Sequence, residues 1–212
     1  MNASRQGFQF RYFAQAKTVA RGLAAGLALT QSAAASANSG DQTAILAGGC
    51  FWGMESVFEH VKGVTNVVSG YAGGTPRMGL GSEPERDGFA EAVRITFDPK
   101  QISYNQLLQI FFNIAHDPTQ VDRQGPDVGP RYRSVIFPQN SQQRAAAQQF
   151  IAQLQSSNHK RIATKIESGG FDIAEAKHQD FARRYPQTPY IVIYDLPKLA
   201  ELRKTYPQFW RD

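Results

Sequence analysis

The only cysteine of the chain, Cys50, sits inside Gly48-Gly49-Cys50-Phe51-Trp52-Gly53. The preceding Ala44-Ile45-Leu46-Ala47 reads as a short buried strand. After the cysteine, Phe51, Met54, Phe58 and Val61 recur at the spacing of a helix face. The segment therefore predicts a strand, a tight glycine turn and a helix, with the thiol at the junction. A thiol at the positive end of a helix dipole is expected to favour the thiolate, which is the nucleophile. The plain alternative is a buried structural cysteine. Two turn-permitting glycines and two adjacent aromatics favour a reactive thiol.

One cysteine excludes an internal disulfide and thiolate zinc sites. With 42% hydrophobic residues among 212, the chain can build a core by packing alone, as one domain.

Residues 1–37 differ from the rest. They hold no Asp or Glu, but Arg5, Arg11, Lys17 and Arg21, then an apolar run from Gly22 to Leu29, then Ala33-Ala34-Ala35-Ser36-Ala37. A basic region, a short apolar region and small residues are the pattern of a cleaved secretory signal. Export to the periplasm or secretion is expected, with a mitochondrial transit peptide as the alternative. The apolar run is too short to span a bilayer. Without these residues 19 basic groups face 18 acidic ones, so the high pI belongs to the leader. No nucleic-acid partner and no membrane span of the mature chain follow from it.

Further along, Val64–Tyr71 and Glu91–Phe97 read as strands, with a Gly-, Pro- and charge-rich loop over 74–88. Ser103 and Gln106 form a capping-box pattern ahead of a helix through Ile114 that is apolar nearly all round. Tyr132–Phe137 and Ile162–Ile166 are strand candidates. Ser141–Gln155 and Ile173–Tyr185 read as helices. Tyr190–Tyr194 is strand-like or an extended arm, and Leu196–Tyr206 is a helix with Pro197 near its start. Mixed elements without a βαβ repeat indicate an α+β fold.

Several short motifs occur in one order: the cysteine motif, Gly70-Tyr71-Ala72-Gly73-Gly74, Ala90-Glu91-Ala92-Val93, His116-Asp117-Pro118-Thr119, Arg123-Gln124-Gly125, Asp127-Val128-Gly129, Tyr132-Arg133-Ser134 and His178-Gln179-Asp180. In this the chain resembles the A-class peptide methionine sulfoxide reductases, over about 44–185. The resemblance implies a two-layer α+β sandwich with an elaborated ferredoxin-like core and a mixed or antiparallel sheet. It also implies reduction of the S epimer of methionine sulfoxide, free or in proteins. Residues 38–212 would be one catalytic domain, with a C-terminal extension from about 186.

By that resemblance Cys50 attacks the sulfoxide sulfur and Glu91 protonates the oxygen. To act as an acid near neutral pH, Glu91 must be raised above the ~4.3 of a free glutamate, and burial among Phe89, Ala90, Ala92 and Val93 would do so. Tyr71 and Tyr132 match two tyrosines that hydrogen-bond the sulfoxide oxygen. Phe51 and Trp52 match an apolar pocket for the substrate methyl, and Asp127 an orienting carboxylate. Read without the resemblance, these are a strand carboxylate, packing aromatics and a loop acid. His60, His116, His159 and His178 lack metal-ligand spacing and read as surface or structural. No metal or cofactor is expected.

Attack leaves a sulfenic acid on Cys50. Many family members resolve it with a second cysteine, often near the C-terminus, which this chain lacks. An external thiol must act: thioredoxin, glutaredoxin with glutathione, or dithiothreitol in vitro. A monomer is expected. The 77–89 segment and Pro130-Arg131 depart from the family pattern beside the expected site. Two other readings compete: a Cys-dependent hydrolase, which needs a histidine base beside Cys50, and a non-catalytic module that binds Met-containing peptides.

Overall fold

The computed structural model describes residues 40–74, 88–157 and 161–212. The expected leader, His159 and the 77–87 part of the divergent loop lie outside the described residues. In chain order the elements are β1 (Gln42–Gly48), α1 (Phe51–Glu59), β2 (Val64–Gly73), β3 (Phe89–Phe97), α2 (Tyr104–Ile110), β4 (Arg123–Gln124), β5 (Asp127–Val128), β6 (Ser134–Phe137), α3 (Ser141–Ser157), β7 (Lys165–Ile166), β8 (Phe171–Ile173), α4 (Phe181–Arg184) and α5 (Leu196–Thr205).

Six strands form one sheet in the order β7-β6-β1-β3-β2-β8. Only the β6–β7 pair is parallel. Strand residues alternate between faces. Ala44, Leu46, Val93, Ile95 and Ile136 join the larger core with Met54, Phe58, Leu107, Phe111, Ala147 and Leu202 of the helices. Ile45, Ala47, Ala90, Ala92, Val135 and Phe137 form a smaller core on the other face, against Phe171. Helices thus cover one face, giving the expected two-layer α+β sandwich. Glu91 shares the parity of Val93 and Ile95, so it points to the helical face.

The capping box forms as read: Ser103 Oγ accepts from Gln106 N at 3.3 Å, and Ser103 N donates to Gln106 Oε1 at 2.8 Å. The apolar helix is buried, and its end, Phe111–Ala115, widens into a π-helical turn.

Four assignments are corrected. Tyr132 ends a 3-10 turn, Pro130–Tyr132, and the strand begins only at Ser134. Of Ile162–Ile166, only Lys165–Ile166 pairs with β6. Residues from Ile173 are not one helix. Phe171–Ile173 instead pairs with the edge of β2, and Asp180 takes a left-handed φ of 54° that breaks helical continuity before α4. Tyr190–Tyr194 is not extended: Ile191–Asp195 is a π-helical turn running into α5. With the β2 edge occupied by β8, that β-branched run packs instead on α1, and Ile191 is fully buried.

Candidate active site

Cys50 is the N-cap residue of α1, at φ −54° and ψ 126°, half-buried and with no capping side-chain bond. The turn before it has a steric reason. Gly49 has φ +100°, and a Cβ there would lie 2.6 Å from Gln124 Cγ. Gln124 is held in place by Asp117, donating to its carbonyl at 3.1 Å and accepting from its N–H at 3.1 Å.

Glu91 reaches the same point from β3. Its Oε2 accepts the Phe51 backbone N–H at 3.2 Å, and it is 7% exposed. A carboxyl is thus set at the positive end of α1, one residue from the thiol. Tyr71 stands directly opposite Glu91 across the β2–β3 ladder. Its hydroxyl donates to Glu175 Oε2 at 3.4 Å.

The expectation of a thiolate-favouring site is overturned. Burial, and next the charge of Glu91, push the Cys50 thiol well up from its ordinary value, with Asp195 and Asp127 adding to this. Only the Trp52 backbone N–H, which donates to the sulfur, pulls the other way. Partial charges at a helix end do not offset desolvation and full negative charges.

The aromatic residues come together as read. The Phe51 ring is buried, with centroids 5.7 Å from Tyr71 and 5.2 Å from His178. Trp52 stacks on Phe181 at 3.7 Å and 7°, and its indole N–H donates to His178 Nδ1 at 3.3 Å. Tyr132 faces Glu91, Asp127 and Cys50. Burial, followed by the charges of Glu91 and Asp127, pushes its phenol up to about 12, so it is a donor at neutral pH.

Three neighbours of these residues have no site role in the sequence reading. Tyr190 donates its hydroxyl to Asp127 Oδ2 and meets Trp52 edge-on. Phe181 is the stacking partner of Trp52. His178, part of the His178-Gln179-Asp180 motif but read as surface or structural, is its hydrogen-bond acceptor. No local pattern marks Tyr190 or Phe181, because their partners lie far away in the chain. The other described histidines engage elsewhere: His116 bonds Phe111 O and Ser134 Oγ, and His60 bonds Ser56 O. Among the described residues no group of three or more His, Cys, Asp or Glu could hold a metal ion.

A two-layer α+β sandwich presenting one cysteine at a helix start, with a carboxyl beside it and aromatic walls, defines the class as a thiol-dependent oxidoreductase. The comparisons narrow the class. A sequence model of the peptide methionine sulfoxide reductase family matches residues 42–209. A peptide methionine sulfoxide reductase of Mesorhizobium japonicum is 48% identical over 182 residues, covering 82% of this chain and 91% of that protein. One of Synechocystis is 46% identical over 172 residues, covering 79% and 80%. Mxr1 of Saccharomyces cerevisiae in reduced form matches with a TM-score of 0.63 at 31% identity, over 71% of this chain and 89% of that one. Methionine sulfoxide reductase A of Corynebacterium diphtheriae gives 0.57 at 28%, over 72% and 78%. The chain belongs to the peptide methionine sulfoxide reductase family.

Proposed function

We propose that the protein reduces methionine S-sulfoxide, free or in proteins, with Cys50 as nucleophile and Glu91 as acid. The observation that carries this reading is the buried Glu91 carboxyl bonded at 3.2 Å to the N–H next after Cys50. The side chain bonded to the N–H next after Cys50 is a carboxyl, not an imidazole, which argues against a Cys–His hydrolase.

The resting site holds a neutral thiol beside Glu91. Moving one proton from sulfur to the carboxylate yields a thiolate and a carboxylic acid, and removes the charge that opposed the thiolate. The thiolate attacks the sulfoxide sulfur while Glu91 protonates the oxygen. The oxygen then passes from the substrate sulfur to the Cys50 sulfur: the substrate S–O bond and the transient S–S bond both break, methionine leaves, and Cys50 carries the oxygen as sulfenic acid. Methionine sulfoxide plus thiol thus become methionine plus sulfenic acid. Tyr71 and Tyr132 donate to the oxygen without carrying charge. Phe51 and Trp52 receive the methyl, and Asp127 orients the polar groups.

Two equivalents of an external thiol return the sulfenic acid to thiol, forming a disulfide and water. A thioredoxin-like protein or glutaredoxin with glutathione fits a chain with one cysteine. The composition of residues 1–37 supports export, to the periplasm or beyond the cell.

The test is dithiothreitol-dependent reduction of the separate S and R epimers by the unaltered chain and by Cys50→Ser. Turnover of the S epimer alone, lost in Cys50→Ser, is expected. A folded protein with a titratable thiol and no turnover of either epimer would refute the reading.

A further inference from the structure

Asp127 and Trp52 lie on separate elements of the fold. Asp127 lies on β5, a two-residue strand paired only with the equally short β4. The next residue, Val128, is 70% exposed. Trp52 has one face against Phe181 and its N–H on His178, and its remaining edge is open to the C-terminal segment. One side chain touches both. The Tyr190 hydroxyl donates to Asp127 Oδ2, and the Tyr190 ring meets Trp52 at 5.9 Å between centroids and 87° between planes.

Tyr190 is not on a loose arm. Ile191 beside it is fully buried. Asp195, 1% exposed, takes the Lys198 ammonium at 3.2 Å. This pair is seated on α1 where Gly53 has no side chain, since a Cβ there would fall 2.1 Å from Asp195 Oδ1. The π-helical turn Ile191–Asp195 is thus fastened to the helix that begins at Cys50, and Tyr190 opens that turn. π-Helical turns occur often beside functional sites, because they re-aim a side chain that a regular helix would point elsewhere.

We propose that Tyr190 is a positioning residue of the substrate site, holding the Asp127 carboxylate and the edge of Trp52 in the geometry that receives methionine sulfoxide. The inference rests on the function proposed above and adds a wall to the site from the C-terminal segment. Burial first, and also the Asp127 carboxylate that accepts its proton, push the Tyr190 phenol up, so it stays a donor to Asp127 throughout the working pH range. The hydroxyl acts through Asp127 and the ring through Trp52, neither on the reacting atoms. Losing the hydroxyl should therefore weaken substrate capture and spare the chemical step.

The experiment measures steady-state kinetics of the full chain with dithiothreitol and N-acetyl-methionine S-sulfoxide, for the unaltered protein, Tyr190→Phe, Asp127→Asn and the double variant, each with its melting temperature. Tyr190→Phe is expected to raise KM three- to tenfold, with kcat within twofold and an unchanged melting temperature. The double variant is expected to match Asp127→Asn, because the hydroxyl has no other route to the substrate. A Tyr190→Phe KM equal to that of the unaltered protein would overturn the proposal, as would losses that simply add in the double variant. No turnover by the unaltered chain would remove the proposed function itself, and this inference with it.

Discussion

Tyr71 and Glu91 are directly opposite one another on β2 and β3, so a single antiparallel register delivers a phenol and a carboxyl to the same side of the sheet. That side is the helical one, where α1 begins with Cys50. A slip of one residue would send both groups to the far face. The register is held by eight paired positions from Asn66↔Thr96 to Gly73↔Phe89, with a shift before Asn66.

Glu91→Gln separates the two roles of this carboxyl. The acid is lost, so kcat should fall by about 10²–10⁴. The charge opposing the Cys50 thiolate is lost too, so the thiol pKa should drop. Iodoacetamide at pH 8 should therefore alkylate the slower enzyme faster. Equal or slower alkylation would contradict the electrostatics described.

Gly53→Ala looks favourable from sequence, because alanine in a helix is worth about 1 kcal/mol over glycine. The structure reverses the sign. The new Cβ would fall 2.1 Å from Asp195 Oδ1 and 2.9 Å from Lys198 Nζ, both held in a buried ion pair. Overpacking of this kind costs about 1–3 kcal/mol. Thermal melts should show a lower midpoint, and a raised one would mean that the C-terminal segment does not pack on α1.

Glu55 and Glu59 contribute a loss of stability as pH rises from about 4.5 to about 7, while His116, pushed down to about 4 by burial, contributes a gain up to about 6.5. Glu55 is 2% exposed, and its Oε2 accepts the Asp180 N–H at 2.9 Å. Burial, and next the charge of Glu59, push its carboxyl up to about 7; Glu59 is raised to about 7 by burial and by Asp180. At these two carboxyls the folded form therefore keeps protons that the unfolded chain releases above about 4.5, and their contribution to stability declines across that window. For Glu55 the loss by pH 8 is about 3 kcal/mol. Glu55→Gln keeps an acceptor for Asp180 and removes the titration. Melting curves at pH 5 and pH 8 should show the variant gaining on the unaltered protein only at the higher pH.

His178→Ala should raise KM a few-fold by freeing the Trp52 indole, while His178→Asn, whose carbonyl can take the place of Nδ1, should restore most of it. One such hydrogen bond is worth about 1 kcal/mol. Steady-state kinetics of the pair would show it. Equal values in both variants would mean that the bond does not position the ring.

Much of this was legible along the chain. The Ser103–Gln106 capping box, the buried helix after it and the strand, glycine turn and helix around Cys50 all rest on neighbours within a few residues. Where sequence reading failed, a distant partner decided. Phe171–Ile173 became a strand because β2 had a free edge, and Tyr190–Tyr194 turned helical because it packs on α1. The site divides the same way. Cys50, Phe51 and Trp52 are one local motif, and the roles of Glu91, Tyr71, Asp127 and Tyr132 came through family resemblance. Tyr190 and Phe181 carry no local mark of their contacts, and the motif that holds His178 does not say that it faces Trp52.

The sequence by itself determined that one thiol opens one helix, that it has no second cysteine in this sequence to pair with, and that apolar periodicity would bury a sandwich core. These follow from residue identity and short-range geometry. Only the tertiary structure decided which groups surround that thiol and the upward push they give its pKa. Both depend on burial and on groups brought in from elsewhere in the chain: Glu91 from β3, Asp127 from the short hairpin, and Tyr190 and Asp195 from the C-terminal turn. Desolvation and charge act through space, and the order of residues does not encode them locally.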